Sequence, residues 1–380
     1  MIPITKPNLS EKEAQAAFDV IMSGWVVQGS KVEKFENVFA EYVGCDYAVA
    51  VSSCTTALHL ALIVAGLNEG DEVICPSMSY IATSNAIVHA KATPIFAEVK
   101  PFTYNLDPED VEKRITPKTK AILLVHQMGM PAEIDAFISL CEKYNLILVE
   151  DAACALGSEY KGRRIGSHSA LVCFSFHPRK VITTGDGGMI CTSNKAFAER
   201  CRTLRQHSMD LSPLERHTNE GKIMVEKYNE VGYNYRMTDI QAAVGIEQMK
   251  KMDEILLKRR NIAQRFHTAF ASLNWLNLPY EPSDCKSNYQ SYSLYLNKDA
   301  PLKRDAFIDY LSNKGISTRH GIMTAHSEPA YSSYKCKLPV TENLSENSVL
   351  IPIYPGLTEA EIDYIIKTIV ELPSNMQISC

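Results

Sequence analysis

The sequence lacks the patterns that mark several common classes of protein. No apolar run approaches the ~20 residues of a membrane-spanning helix, and residues 1–15 are too polar for a signal peptide. No G-x-G-x-x-G follows a strand-like run, which counts against a dinucleotide site. No block of Lys and Arg marks a nucleic-acid patch, and a net charge of −5 argues against a general polyanion binder. We therefore expect neither a membrane nor a nucleic acid as partner.

The eleven cysteines do not form the pattern of a disulfide framework or of a metal site. They contain no C-x-x-C pair and are spread from Cys45 to Cys380. Many stand in apolar surroundings, as Cys75, Cys173 and Cys191 do. Such positions are typical of reduced, buried thiols in a cytoplasmic protein. We expect no bound metal and a cytoplasmic location.

What the sequence does contain is a regular alternation of short apolar runs with helical patterns. Its 380 residues exceed one average domain, and 46% apolar with 22% charged residues is ordinary for a globular protein. Strand-like runs that alternate with helices predict a mostly parallel sheet. A long helix over residues 250–273 is expected to lead into a smaller part. The sequence predicts a large domain with an N-terminal arm (residues 1–250) and a small C-terminal α/β domain (residues 251–380).

One stretch, residues 147–193, contains several residues that are suited to catalysis or to binding a cofactor. Glu150 and Asp151 end one apolar run, where an α/β sheet presents groups to a ligand crevice. Ser175 stands near the end of a second run, and Lys180 follows Asp151 by 29 residues (180 − 151). A protonated pyridine nitrogen needs a buried carboxylate, and an aldehyde cofactor needs a lysine for a Schiff base. Taken singly, each group is more often a helix cap or a solvated side chain, but their order and spacing suit this chemistry.

Two strand-to-helix turns add further candidates. Residues 53–56, Ser-Cys-Thr-Thr, lead into an apolar helix whose free backbone N–H groups and positive dipole end make a natural phosphate seat. A Ser/Thr cluster of this kind is, taken alone, ordinarily just an N-cap. Tyr80 stands at the next such junction, where an aromatic ring can lie flat on a pyridine ring.

Two segments resemble the DegT/StrS family of aminotransferases. They are FSFHPRK–TTGDGGM (residues 174–189) and GYNYRMTDIQAAVG (residues 232–245), and the resemblance covers nearly the whole chain. It implies an aspartate-aminotransferase-like α/β fold (fold type I), with a mostly parallel central sheet and a smaller C-terminal domain. It also implies pyridoxal 5′-phosphate as cofactor, with Lys180 as Schiff-base lysine and proton carrier and Asp151 on the ring nitrogen. The implied reaction moves an amino group from an amino acid, usually L-glutamate, to a keto group of a nucleotide-linked deoxy sugar.

The resemblance also assigns the other site residues. The cofactor-binding positions are Thr55, Thr56, Tyr80, Asp151, Cys154, Ser175, Lys180 and Asn234. Segments that border the substrate in relatives contain Trp25, Arg319, His320 and His326. At position 154 the family usually carries Gln or His near the phenolic oxygen of the cofactor, whereas a cysteine is a weak donor. Asn234 aligns with a residue that reaches the cofactor phosphate of the partner subunit, which implies a homodimer with shared active sites.

Two alternatives stay open at this level. A keto-cyclitol aminotransferase carries the same motifs, and a catalytically silent regulator keeps the same fold. Lys180 argues against the regulator and against the dehydratase branch of the family, which carries His at that position. The polar segment 207–228 is long for a structureless loop, and we expect it to be a functional flap or an interface element.

Overall fold

The computed structural model describes residues 1–209, 226–334 and 336–372. The predicted flap or interface element at residues 207–228 therefore lies mostly outside the described residues. No helix within the described ranges is long and apolar enough to cross a membrane.

The strands of the described residues form three sheets. In chain order they are β1 (Tyr47–Val51), β2 (Glu72–Pro76), β3 (Thr93–Ala97), β4 (Thr119–Val125), β5 (Ile147–Asp151), β6 (Glu159–Tyr160), β7 (Arg163–Arg164), β8 (Leu171–Ser175), β9 (Gly188–Thr192), β10 (Leu276–Asn277), β11 (Cys285–Lys286), β12 (Tyr292–Leu296), β13 (Arg319–His320) and β14 (Ser348–Ile351). The largest sheet has the order β1-β9-β8-β5-β4-β2-β3. The others have the orders β10-β12-β14-β13 and β11-β6-β7.

The seven-stranded sheet confirms the predicted, mostly parallel architecture. Strands β3, β2, β4, β5 and β8 pair in parallel, whereas β9 runs antiparallel to both β8 and β1. Strands β8 and β9 are buried along their whole length, as expected of a sheet that is covered on both faces. Because β1, β5 and β8 point the same way, their carboxyl ends meet at one edge of the sheet, which is where α/β proteins bind ligands.

The helices pack on the seven-stranded sheet and around the four-stranded sheet. They are α1 (Glu11–Ser23), α2 (Ser30–Val43), α3 (Cys54–Val64), α4 (Ala82–His89), α5 (Pro108–Lys113), α6 (Ile134–Tyr144), α7 (Lys195–Leu204), α8 (Asp239–Met249), α9 (Met252–Phe270), α10 (Arg304–Asn313), α11 (Pro339–Asn347) and α12 (Glu359–Val370). Short 3-10 turns occupy Gln127–Gly129, Ala325–Ser327 and Pro329–Tyr331.

Helix ends follow the local chemistry of the sequence. Helix α1 begins with a capping box, because Glu13 accepts hydrogen bonds from the backbone N–H and the hydroxyl of Ser10. Helix α2 ends at Gly44, whose φ of +78° lies in the left-handed region that favours glycine.

The buried apolar residues form separate groups around the seven-stranded sheet and around the four-stranded sheet. Helix α9 passes between the two groups, since Ile255 packs against the large sheet and Phe266 and Phe270 pack with the four-stranded sheet. The N-terminal arm joins the smaller group through Ile2, whose backbone bonds to Gly315 and Ser317. We propose residues 1–250 and 251–380 as the two domains, with α9 as the element that connects their cores.

Candidate active site

A cavity of about 580 Å³ opens at the carboxyl edge of the large sheet. It is lined by residues from the seven-stranded and the four-stranded sheets and by Ile4 and Thr5 of the N-terminal arm. Among the described residues, the lining includes the predicted positions Thr55, Tyr80, Asp151, Cys154, Ser175, Lys180 and Arg319. Residues that are 264 positions apart in sequence (319 − 55) therefore face one space.

Asp151 is the last residue of β5 and is only 5% exposed. Its Oδ2 accepts a hydrogen bond from the hydroxyl of Thr83 at 2.8 Å, and its Oδ1 accepts one from the backbone N–H of Ala153 at 3.1 Å. Burial raises the pKa of Asp151, while the Thr83 bond and the nearby Lys180 oppose that rise. The carboxylate of Asp151 is therefore fixed by two hydrogen bonds and borders the cavity, which is the arrangement that a protonated pyridine nitrogen requires.

Lys180 lies beside Cys154 in this cavity. Its Nζ donates to the Sγ of Cys154 at 3.1 Å. Burial by itself lowers the pKa of Lys180, but Cys154 and Asp151 outweigh burial and hold that pKa above its ordinary value. The ammonium group is thus kept close to a carboxylate and a thiol.

The predicted phosphate turn has the expected geometry, with one difference. Ser53 caps α3, its Oγ accepting from the backbone N–H of Thr56 at 3.2 Å. The hydroxyl of Thr56 is engaged in the same cap, where it donates to the Ser53 carbonyl at 2.8 Å. Thr56 does not line the cavity, whereas Ser53, Cys54 and Thr55 do. These three residues and the start of α3 are therefore the part of the turn that faces the cavity, and its binding of a phosphate stays a prediction.

Glu150 does not face the cavity, so the prediction that both carboxylates at the end of β5 border the crevice is wrong for Glu150. Successive side chains of a strand point to opposite faces, which turns Glu150 away from the side of Asp151. Glu150 is fully buried and its Oε2 lies 2.7 Å from Nε2 of His126. Because Nδ1 of His126 accepts from the backbone N–H of Ala132, Nε2 carries the proton that Glu150 receives. This pair ties the end of β4 to β5 beneath the site.

Trp25 and Asn234 lie outside the cavity lining of the described chain. The indole Nε1 of Trp25 donates to the carbonyl of Gln28 at 3.4 Å, and the ring contacts the backbone of Gly29. Asn234 is exposed, and its backbone pairs with Gln206. The predicted roles of these two residues stay predictions.

His320 and His326 also lie outside the cavity lining. The side chain of His320 is 66% exposed and its Nε2 lies 3.6 Å from Asp305. The side chain of His326 is only 7% exposed, and it contacts the hydroxyl of Ser77 and, at 3.1 Å, a carboxylate oxygen of Glu342. His326 therefore links the end of β2 to α11, a contact that a sequence alone does not reveal.

Several residues of the site were not predicted from the sequence. Thr83 stands in the first turn of α4, and only the fold brings its hydroxyl to Asp151. Gln290 lines the cavity and donates through Nε2 to the carbonyl of Arg179 at 2.5 Å. Arg179 itself lines the cavity, and its position directly before Lys180 was the one available signal.

Within the described parts of the chain, no group of three or more His, Cys, Asp or Glu residues could hold a metal ion. Ten cysteines fall within these parts, and all ten are free thiols.

The residues present fit pyridoxal 5′-phosphate. A helix N-terminus flanked by the hydroxyls of Ser53 and Thr55 suits the phosphate, the buried Asp151 suits the ring nitrogen, and Lys180 suits the aldehyde. Tyr80 lines the same space and is 72% exposed, so the described residues leave most of its surface uncovered. When bound, this cofactor supplies an electron sink for amino-group transfer.

Comparisons with known proteins agree with this geometry. The spore coat polysaccharide biosynthesis protein SpsC of Bacillus subtilis (strain 168) is 35% identical over 374 residues, covering 97% of this chain and 96% of that protein. The solved structure of S. venezuelae DesV is similar with a TM-score of 0.90 and 32% identity, covering 98% of both chains. The PLP form of Spr1654 from Streptococcus pneumoniae has a TM-score of 0.90 at 26% identity, covering 98% of this chain and 99% of that chain. The fold is that of the fold type I PLP aminotransferases. Since the model of the DegT/DnrJ/EryC1/StrS aminotransferase family matches residues 7–370, the chain belongs to that family of pyridoxal-phosphate-dependent sugar aminotransferases.

Proposed function

We propose that this aminotransferase moves an amino group from L-glutamate to a keto group of a nucleotide-linked deoxy sugar. The observation that carries the proposal is the common cavity of Asp151, Lys180 and the Ser53–Thr55 turn, which two arginines also line. The reaction supplies amino sugars for polysaccharide or antigen biosynthesis, which agrees with the name of the relative SpsC.

The residues of the chain divide the work of the reaction. Lys180 would hold the cofactor through its aldehyde and would act as the group that moves a proton during amino transfer. Asp151 keeps the ring nitrogen protonated, and Thr83 holds the orientation of that carboxylate through the 2.8 Å hydrogen bond. Ser53, Thr55 and Ser175 would hold the phosphate of the cofactor.

We also propose that the active unit is a cytoplasmic homodimer with shared sites. Asn234 is exposed and lies outside the cavity of its own subunit, so it is available to the phosphate seat of a partner. Helix α1 exposes three large apolar side chains, since Phe18, Ile21 and Met22 are all more than half exposed. Exposed apolar groups of this size are typical of an interface. The free thiols support a reducing compartment.

The assay that tests the substrate proposal offers keto-sugar nucleotides to the purified protein with L-glutamate. We expect a mass change on the sugar nucleotide that corresponds to replacement of a keto oxygen by an amino group, together with formation of 2-oxoglutarate. Amination of a keto-cyclitol instead of every sugar nucleotide offered would assign the protein to the cyclitol branch. Absence of amino transfer from any amino acid would contradict the proposal.

A further inference from the structure

Two arginines line the cavity and stand far from the phosphate turn in the sequence. Arg179 directly precedes Lys180, and Arg319 lies in β13 of the four-stranded sheet, whereas the Ser53–Thr55 turn follows β1 of the large sheet. Partial burial and the positive charge of Arg179 both lower the pKa of Arg319. Both side chains line the same cavity, and their like charges oppose each other there.

Neither guanidinium group has a hydrogen-bond or ion-pair partner among the residues that the structure describes. The contacts of Arg179 run through its backbone, which bonds to the Nδ1 of His177 and to the Nε2 of Gln290. Two carboxylates line the same cavity, but Asp151 is held by Thr83 and no ion pair joins Asp186 to either arginine.

Several other arginines of the described residues are paired with carboxylates. Arg114 pairs with Asp110 at 2.6 Å, Arg205 pairs with Glu36 at 2.5 Å, and Arg265 pairs with Asp363 at 2.5 Å. The exposed Arg163 of β7 has no such partner among the described residues either, so what distinguishes Arg179 and Arg319 is that two unpaired guanidinium groups of like charge line one cavity, an arrangement that an anion would relieve.

We propose that Arg179 and Arg319 form a subsite for an anionic group of a substrate, either a carboxylate or a phosphate. Guanidinium groups bind the paired oxygens of both anions with two parallel hydrogen bonds. The phosphate turn at α3 already provides a seat for the anion of the cofactor, so the arginine pair serves a second anion. This inference rests on the proposed function, in which the amino donor carries carboxylates and the nucleotide-linked acceptor carries phosphates.

The test uses the cofactor-loaded variants Arg179→Gln, Arg319→Gln and the double variant. Arg163→Gln is the matched control, because Arg163 is an exposed arginine of β7 outside the cavity lining. The two half-reactions are measured separately, with L-glutamate or L-alanine as donor and with a keto-sugar nucleotide as acceptor. We expect the double variant to raise KM in one half-reaction by about tenfold to a hundredfold with little change in kcat. The control should leave both KM values unchanged.

The pattern of losses identifies the source of the anion. A rise in KM that is confined to the acceptor half-reaction identifies the phosphates of the sugar nucleotide as the bound anion. A rise in KM with L-glutamate but not with L-alanine identifies the distal carboxylate of glutamate. An equal rise in KM with both donors identifies the α-carboxylate. All three patterns support the subsite.

Direct binding separates this inference from the proposed function. Glutarate and pyrophosphate are titrated by calorimetry into the cofactor-loaded wild type and the double variant. Binding of either anion to the wild type that weakens in the double variant supports the subsite, even if the substrate assay shows no amino transfer. Equal binding in both proteins, or no binding to the wild type, combined with unchanged KM values would overturn it.

Discussion

The two walls of the cavity differ in how far their polar side chains are already engaged. On the cofactor wall, defined here by Thr83, Asp151, Cys154 and Lys180, each polar side chain bonds to another member of the wall. On the arginine wall, defined by Arg179 and Arg319, neither guanidinium has a partner among the described residues. The cofactor wall is therefore organised before any substrate arrives, which is the condition for strong electrostatic catalysis. The arginine wall obtains its partner from the substrate.

The largest expected effect comes from removing the charge at the centre of the cofactor wall. Asp151→Asn should retain part of the cofactor but lose about 3 kcal/mol of transition-state stabilisation, which is on the order of a hundredfold in rate, because an amide does not stabilise a pyridinium charge. The matched control is Asp186→Asn, which changes an exposed carboxylate at the same cavity. Stopped-flow rates of the glutamate half-reaction compare the two. Rates of Asp151→Asn close to those of the control would contradict the assigned role.

The second prediction concerns the proposed contribution of Asn234 to the active site of the partner subunit. If Asn234 completes the phosphate seat of the partner subunit, Asn234→Ala loses one neutral-to-anion hydrogen bond. The cost is about 1.5–3 kcal/mol, or about tenfold to a hundredfold in cofactor affinity. Equilibrium titration with pyridoxal phosphate measures the loss.

Mixing variants distinguishes a shared site from a site within one subunit. In a mixed dimer of Asn234→Ala and Lys180→Ala, a shared arrangement places both changes in one site and neither in the other, so activity partly returns. If Asn234 serves its own subunit, each site carries one change and mixing recovers nothing. Native mass spectrometry must show that the subunits have exchanged.

The third prediction concerns a support of the cofactor wall. Thr83→Val removes the 2.8 Å hydrogen bond to Asp151 and should cost about 1.5 kcal/mol, close to tenfold in rate. That bond lowers the pKa of Asp151, which burial has raised, so its loss raises this pKa further. The carboxylate is then lost at higher pH, and the acid limb of the kcat/KM profile should move to higher pH. Ser79→Ala, which removes only the hydroxyl bonded to Thr83 at 2.7 Å, should cause a smaller shift, and an unmoved acid limb in Thr83→Val would refute the positioning role.

The sequence predicted the fold well because apolar periodicity reports burial directly. The strand β5 and the long helix α9 were both expected near their observed positions. The two-residue strands β6 and β7 were missed, since so short a pattern carries no period. The helix α11 was missed as well, because it begins at Pro339 and presents mainly polar residues. In both cases the tertiary contacts decide the structure.

The site was predicted unevenly, and the two walls show why. Asp151 ends a strand and Lys180 belongs to a specific motif, and the structure brings both to one cavity. Thr83 was not predicted, because its bond to Asp151 spans 68 residues and depends on the packing of α4. His320 and His326 were predicted from their position near a substrate segment alone, and their side chains engage Asp305 and Glu342 instead. A motif identifies residues that share a local turn, whereas contacts between distant elements require the fold.

The most direct test of the account is the location of the cofactor on the chain. The purified protein, saturated with pyridoxal phosphate, is reduced with borohydride, digested and mapped by mass spectrometry. The account predicts a pyridoxyl group on Lys180 and its absence from the same peptide of Lys180→Ala. A label on a different lysine, or no label after saturation, would contradict the assignment of Lys180 and with it the cofactor wall.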